Sequence, residues 1–432
     1  METREKVSNY IVDLLIILGA FIIIYNPPLI NFNSMHIVGG LSIFYVLINK
    51  IKDNRLIINK NIGYLFFAFF IIFFYLFINV VLVHGYSISE SIYPIYFILD
   101  VIPFGYAVAI NLNKRHLTAN YAFNLLVIMA LIQSIIAILC FFIKDVQIFF
   151  FNRFISYGYG DAETLKELLG YRMRGFASEL TFSMPIAQTI ISLMCIYSAR
   201  QGNKLIRWIE AVVILISAVI NARISLVVFF LGYIVIIIKS SLKKKILYLI
   251  IFAVAIIMFF SVGMPMLRKY AYPTYYWLYE WISDMTKFMR GDMSGYYFSY
   301  ATNPANHPIP KTFIGIIFGE GFRTMGALST HGVASDMGYY NDLFLGGIIY
   351  MLMIYCGIAH LCVQLIKDKR NLVRYVGIVS FIVLFVVNIK ASIFNMNSVL
   401  NLFILMYVVT RMLHYQDDIE GNNNDKESNE YK

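Results

Sequence analysis

The sequence predicts an all-α, polytopic membrane fold of about twelve transmembrane helices with two large outer loops. Three observations carry that expectation. Of 432 residues, 59% are hydrophobic and only 14% are charged. Mean hydropathy is +0.70, far from the balance of a soluble domain. The apolar residues also fall into runs close to a membrane's thickness, since about 30 Å of hydrocarbon takes roughly 20 residues of helix.

Those runs lie at about 10–29, 35–49, 62–83, 92–111, 121–143, 181–199, 208–222, 224–238, 245–263, 338–366, 375–390 and 396–413. The connections between them alternate in charge. One set carries Lys50, Lys52, Arg55 and Lys60; Lys114 and Arg115; Arg200, Lys204 and Arg207; Lys239 and Lys243 to Lys245; and Lys367, Lys369, Arg370 and Arg374. Cytoplasmic loops hold the excess of Lys and Arg, so this set predicts the cytoplasmic face and puts both termini inside. The other set, His84 to Glu90 with the long connections at about 144–180 and 264–337, then faces outward.

The first run follows Arg4 and Lys6 and ends Tyr25-Asn26-Pro27-Pro28 without a small-residue cleavage site, which reads as a retained signal anchor. Residues 1–414 form the transmembrane domain in this reading. The remainder, 415–432, is rich in Asn, Asp and Glu and predicts a disordered cytoplasmic tail. The net charge of +10 is scattered in short clusters between apolar runs, as topology signals are, so nucleic acid is not an expected partner. Cys140, Cys195, Cys356 and Cys362 all lie in apolar runs and read as small core residues rather than as a disulfide or metal framework.

The interval Trp208–Ile238 reads either as one long helix with Arg223 buried or as a hairpin turning at Asn221-Ala222-Arg223. Basic clusters at both ends favour the hairpin. Each arm is then about 23 Å long at 1.5 Å per residue, and Arg223 sits at a recessed outer turn. An arginine at membrane depth usually has a partner or a task. In the first long outer connection, Asp161 as N-cap and Gly170 as C-cap bracket a short amphipathic helix. It leads directly into Tyr171-Arg172-Met173-Arg174-Gly175-Phe176-Ala177-Ser178-Glu179.

The candidate chemistry lies in these outward-facing stretches. Arginine offers a planar fork of donors suited to phosphate oxygens, so Arg172, Arg174, Arg223 and Arg323 together point to a lipid-linked phosphate. The plainer reading is contact with anionic headgroups, or ion pairs with Glu179 or Asp336. His331, followed by Asp336, has the chemistry of a base for a sugar hydroxyl, although a loop histidine is more often simply exposed. His307 has the weaker claim because Pro308 follows it. The aromatics from Tyr270 to Trp281, Tyr276 and Trp277 among them, suit stacking on sugar rings or an interfacial belt. Tyr340 and Glu179 are further candidate sugar contacts. Signatures of nucleotide-driven, zinc or serine-hydrolase chemistry are missing, so no cofactor is expected.

The Arg-Gly-Phe-Xaa-Ser-Glu ending of the first long loop, the Asn221-Ala222-Arg223-Ile224-Ser225 hairpin, and Gly319-Glu320-Gly321-Phe322-Arg323 with His331 before Asp336 carry a likeness. With the span count, they resemble the bacterial O-antigen and capsular polysaccharide polymerases of the Wzy type, a family that shares its fold with the O-antigen ligases. The resemblance implies a glycosyltransferase of the bacterial inner membrane that joins undecaprenyl-pyrophosphate-linked oligosaccharide units at the outer face. It assigns pyrophosphate binding to Arg172, Arg174, Arg223 and Arg323 and acceptor activation to His331 with Asp336, and it suggests a flippase and a chain-length regulator as partners. Gly332 follows His331 where ligases often have Asn, which leans towards polymerase. The rival readings are a ligase moving finished polymer onto lipid A core, and a lipid-linked oligosaccharide flippase or transporter, which would show internal repeat symmetry and charges within its spans.

Overall fold

The structure, a computed structural model, describes residues 2–27, 33–53, 59–154, 173, 175–177, 182–202, 205–295, 303, 307–324, 333, 335, 337–395 and 397–413. Among the described residues it is all-helical, and each apolar run contains a helix. The N-terminal half comprises α1 (Glu2–Tyr25), α2 (Ser34–Asp53), α3 (Lys60–Val83), α4 (Tyr93–Lys114), α5 (Ala119–Phe142), α6 (Lys144–Phe154), α7 (Ser183–Gly202) and α8 (Leu205–Asn221). After it come α9 (Ile224–Ile238), α10 (Leu242–Tyr270), α11 (Tyr272–Met289), α12 (Phe313–Phe318), α13 (Gly338–Ile366), α14 (Asn371–Val387) and α15 (Ser398–Leu413). Seven of these, α1 to α5, α10 and α13, are long and apolar enough to cross a membrane.

Local chemistry sets several boundaries. Asn59 caps α3 by accepting a hydrogen bond from the Asn61 N–H at 2.8 Å, which satisfies one of the otherwise orphaned donors of the first turn. The interval 208–238 is the hairpin and not a single long helix: α8 ends at Asn221 and α9 starts at Ile224. Within the long connection at about 264–337, α10 continues to Tyr270 and α11 and α12 follow. The amphipathic helix expected between Asp161 and Gly170 and the tail 415–432 lie outside the described residues. Three cysteines are buried as expected, but Cys356 is exposed on α13, so the reading of all four as core residues is corrected there. An apolar run shows that a segment is helical and hydrophobic without showing which face meets lipid.

The core is built on α7 and α15, whose side chains are almost all buried. Polar side chains stitch α7 to its neighbours. Gln188 donates to the Ser134 hydroxyl and accepts from the Ser217 hydroxyl, both at 3.2 Å, and Ser192 donates to the Ala211 carbonyl at 2.8 Å. Small and hydroxyl residues let helices approach closely where burial from water offers little driving force.

The feature that shapes the end of the bundle carrying Gly319 to Arg323 is a break in α13. Gly347 has φ +66° and ψ −168°, a backbone conformation open in practice only to glycine. The break leaves carbonyls without intrahelical partners, and each has a donor. Glu320 N–H reaches the Phe344 carbonyl at 2.6 Å, Asn79 Nδ2 the Leu345 carbonyl at 3.0 Å, and the Tyr75 hydroxyl the Gly346 carbonyl at 2.8 Å. Irregular backbone within an apolar bundle is tolerable only when it is paired in this way.

Candidate functional site

The α8–α9 turn brings three separate parts of the chain together. Asn221, 2% exposed, accepts from the Met173 N–H at 2.7 Å and donates back to the Met173 carbonyl at 3.0 Å. Both backbone polar groups of Met173 are thereby held by a single carboxamide, which offers one acceptor and two donors. Beyond Met173, Gly175 turns at φ +57° against the Gln133 side chain. Phe176 follows, packed edge-on to Phe150 and Phe21 at 4.6 and 5.7 Å. Met173 and residues 175–177 are therefore set into the bundle rather than laid over it. Arg172, Arg174 and Glu179 lie outside the described residues.

Arg223, the residue that precedes α9 as its N-cap, lies two residues after Asn221. Its guanidinium lies over the Trp277 ring at 4.1 Å, and Nη1 donates to the Trp277 carbonyl at 2.6 Å. Arg223 and Trp277, named separately in the sequence reading, are in contact here, and that contact docks α11 onto the turn. A guanidinium has five N–H donors, so this bond fixes its plane without exhausting it. Tyr276, one residue earlier, is half-exposed on α11 in a stack with Tyr272.

A second cluster surrounds Arg323. Gly319 and Gly321 both have positive φ, +85° and +77°. A Cβ on Gly319 would meet the Gly346 backbone at 2.6 Å, and one on Gly321 would meet the His84 ring at 2.9 Å. These two glycines carry the chain across the α13 break, and Phe322 then packs on Phe344 with ring centroids 5.4 Å apart. That geometry drives Arg323 inward, to 8% exposure. Its Nη1 donates to the Ser392 hydroxyl at 3.0 Å and lies 3.5 Å from Asp342 Oδ1. Nε is 3.8 Å from Glu90, and the guanidinium covers the Tyr93 ring at 5.6 Å. Burial works against the charge, but Tyr350, Asp342, Tyr93 and Glu90 outweigh it and hold the guanidinium above its ordinary pKa.

Around this arginine the buried polar groups form a network. Asp342 Oδ2 accepts from the Tyr355 hydroxyl at 2.7 Å and from Asn388 Nδ2 at 3.2 Å. Asn388 also accepts from the Ile393 N–H at 2.9 Å, and Tyr350 donates to the Phe394 carbonyl at 3.1 Å. Arg323 Nη2 and Asp342 Oδ1 are buried without a hydrogen-bond partner. Tyr340 lies beside His307, with rings 5.5 Å apart, while His331 and Asp336 lie outside the described residues.

The sequence reading reached Arg323 as a donor for phosphate or a partner of Glu179 or Asp336, and did not anticipate Glu90 and Asp342 as the acids it faces. Asp342 carried a readable signal, a carboxylate inside an apolar run. Glu90, Tyr93, Asn388 and Ser392 carried none, since their relation to Arg323 exists only once α4, α13 and α14 are packed. Among the described residues no cluster of His, Cys, Asp or Glu is arranged to hold a metal ion. No family model, curated protein or solved structure matches this chain.

Proposed function

We propose that the protein is a surface-polysaccharide polymerase of the Wzy type. It would be a multi-pass protein of the bacterial inner membrane with about twelve spans and both termini in the cytoplasm. It joins oligosaccharide repeat units carried on undecaprenyl pyrophosphate at the membrane's outer face. The observation that supports this reading best is the convergence at the α8–α9 turn. There the segment that carries Arg172 and Arg174 in sequence is clamped at Met173 by Asn221, and Arg223 holds Trp277 of α11.

In this reading a hydroxyl of the incoming unit attacks the anomeric carbon of the growing chain. The carbon–oxygen bond to pyrophosphate breaks, the hydroxyl proton passes to His331 oriented by Asp336, and undecaprenyl pyrophosphate leaves. A single displacement inverts the anomeric centre. Charge grows on the departing pyrophosphate oxygens, where fixed guanidinium groups at Arg172, Arg174 and Arg223 stabilise the transition state more than the ground state. Arg323 binds from its buried position and Glu179, Tyr276, Trp277 and Tyr340 contact sugar. Flippase and chain-length regulator are the expected partners.

Deletion of the gene followed by gel analysis of surface glycan tests the reading. Caps of a single repeat unit are expected. Free unligated polymer would indicate a ligase, and complete loss of glycan would indicate a flippase. Complementation with Arg223→Lys at unchanged protein level should leave single-repeat caps, because an ammonium cannot reproduce the stacked, bidentate fork. Normal ladders from that variant would remove Arg223 from the site.

A further inference from the structure

Away from this site, α3 and α13 leave a groove between them that encloses about 190 Å³. It runs from Asn61 and Gln364 at one end to Ile72 and Ile354 at the other. Asn61 to Ile72 is roughly 16 Å at 1.5 Å per residue, close to half of the ~30 Å hydrocarbon thickness. Its walls are apolar, Leu65, Phe69 and Ile358 among them. Gly357 leaves the groove bare, since a Cβ there would meet nothing within 4 Å. Both helices are long and apolar enough to cross a membrane, and in a membrane-spanning orientation the groove opens onto hydrocarbon.

The rim at the Asn61 and Gln364 end is polar and basic. Lys60, His360 and Lys367 are exposed there, and His360, Gln364 and Lys367 share one face of α13 by their spacing. The nearby acid Asp368 is turned inward, 3% exposed, and is neutralised by Arg370 at 2.9 Å and Arg411 at 3.6 Å. Tyr407 donates to Gln364 Oε1 at 2.5 Å, so the Gln364 amide N–H faces His360 Nε2 at 2.7 Å. His360 therefore accepts through Nε2, and its other ring nitrogen carries the proton, available to an anion at the rim.

We propose that this groove seats one acyl chain of an anionic phospholipid, with its phosphate against Lys60, His360 and Lys367. The length of the groove selects a chain confined to one leaflet, and the uncompensated charge at its mouth selects an anionic headgroup. The site is independent of the proposed polymerase activity.

Native mass spectrometry of the delipidated, full-length protein in detergent tests it, with dioleoylphosphatidylglycerol and dioleoylphosphatidylcholine as probes. One phosphatidylglycerol is expected to remain bound at least about tenfold more tightly than phosphatidylcholine, which is about 1.4 kcal/mol. Gly357→Phe fills the groove and should abolish that bound lipid. The triple variant Lys60→Gln, His360→Gln, Lys367→Gln leaves the walls intact and should bring the two lipids to equal retention. Equal retention of both lipids by the native protein, or undiminished binding by Gly357→Phe, would overturn the proposal. So would displacement of phosphatidylglycerol by an equimolar polyprenyl phosphate.

Discussion

Arg323 occupies a place where charge is expensive, and the arrangement around it explains how it is kept. A guanidinium removed from water needs both an opposing charge and hydrogen bonds, and Asp342, Glu90 and Ser392 supply them. Removing the arginine strands Asp342, which is fully buried. Arg323→Ala is therefore expected to lower stability by about 3–5 kcal/mol, read as a fall in unfolding temperature in detergent. Adding Asp342→Asn to that variant should restore part of the loss, because the stranded charge is removed. Strict additivity of the two substitutions would show that the pair does not interact. At this scale the sequence reading reached Arg323 and passed over Asp342. A carboxylate in an apolar run is a signal the sequence holds, but only the folded chain pairs it with Arg323.

Among the elements, the α8–α9 hairpin and the broken α13 do most to position the candidate site. The hairpin was readable because basic clusters flank both arms and Asn221-Ala222-Arg223 interrupts the apolar run. Nothing local showed that Asn221 would clamp Met173, a contact 48 residues apart in sequence. Asn221→Ala deletes both bonds to the Met173 backbone. Amide hydrogen exchange at 173–177 should accelerate in this variant while α7 remains protected; unchanged exchange would show that the clamp is not what holds the segment. The α13 break was invisible in sequence, since Gly346-Gly347 sits in an otherwise continuous apolar run. Gly347→Ala forces a side chain into φ +66° and against the Ile317 carbonyl. Strain of about 1–3 kcal/mol from the backbone alone should appear as a lower unfolding temperature, whereas alanine at the bare position Gly357 should not lower it.

At the scale of the whole molecule, the two ends of the bundle are held by different chemistry. The basic end is tied by Asp368, where Arg370 donates twice at 2.9 Å and Arg374 and Arg370 continue to the Asp368 and Thr410 carbonyls. Burial pushes the Asp368 carboxyl up, but the hydrogen bonds and charge of Arg370, with Arg411, outweigh it and hold the group below its ordinary 3.8. A depressed folded pKa stabilises above the unfolded value of about 4 and is lost as pH falls through the folded value. The stability gap between the native protein and Asp368→Asn should accordingly be full at neutral pH and close in acid below about pH 4. A gap that persists unchanged in acid would show that the carboxylate charge is not what fastens this end. The helical, membrane-spanning character of the chain was legible from hydropathy alone. Which helices are central was not, because α7 and α15 are no more apolar than helices such as α10 whose side chains are largely exposed.

The most direct test is reconstitution. The purified protein in proteoliposomes is given lipid-linked oligosaccharide extracted from the deletion strain, and glycan length and released undecaprenyl pyrophosphate are measured together. Polymer growth with one undecaprenyl pyrophosphate released per unit joined, abolished by Arg223→Lys, is the expected result. Folded protein that yields neither product, or an Arg223→Lys variant that polymerises like the native chain, would contradict it.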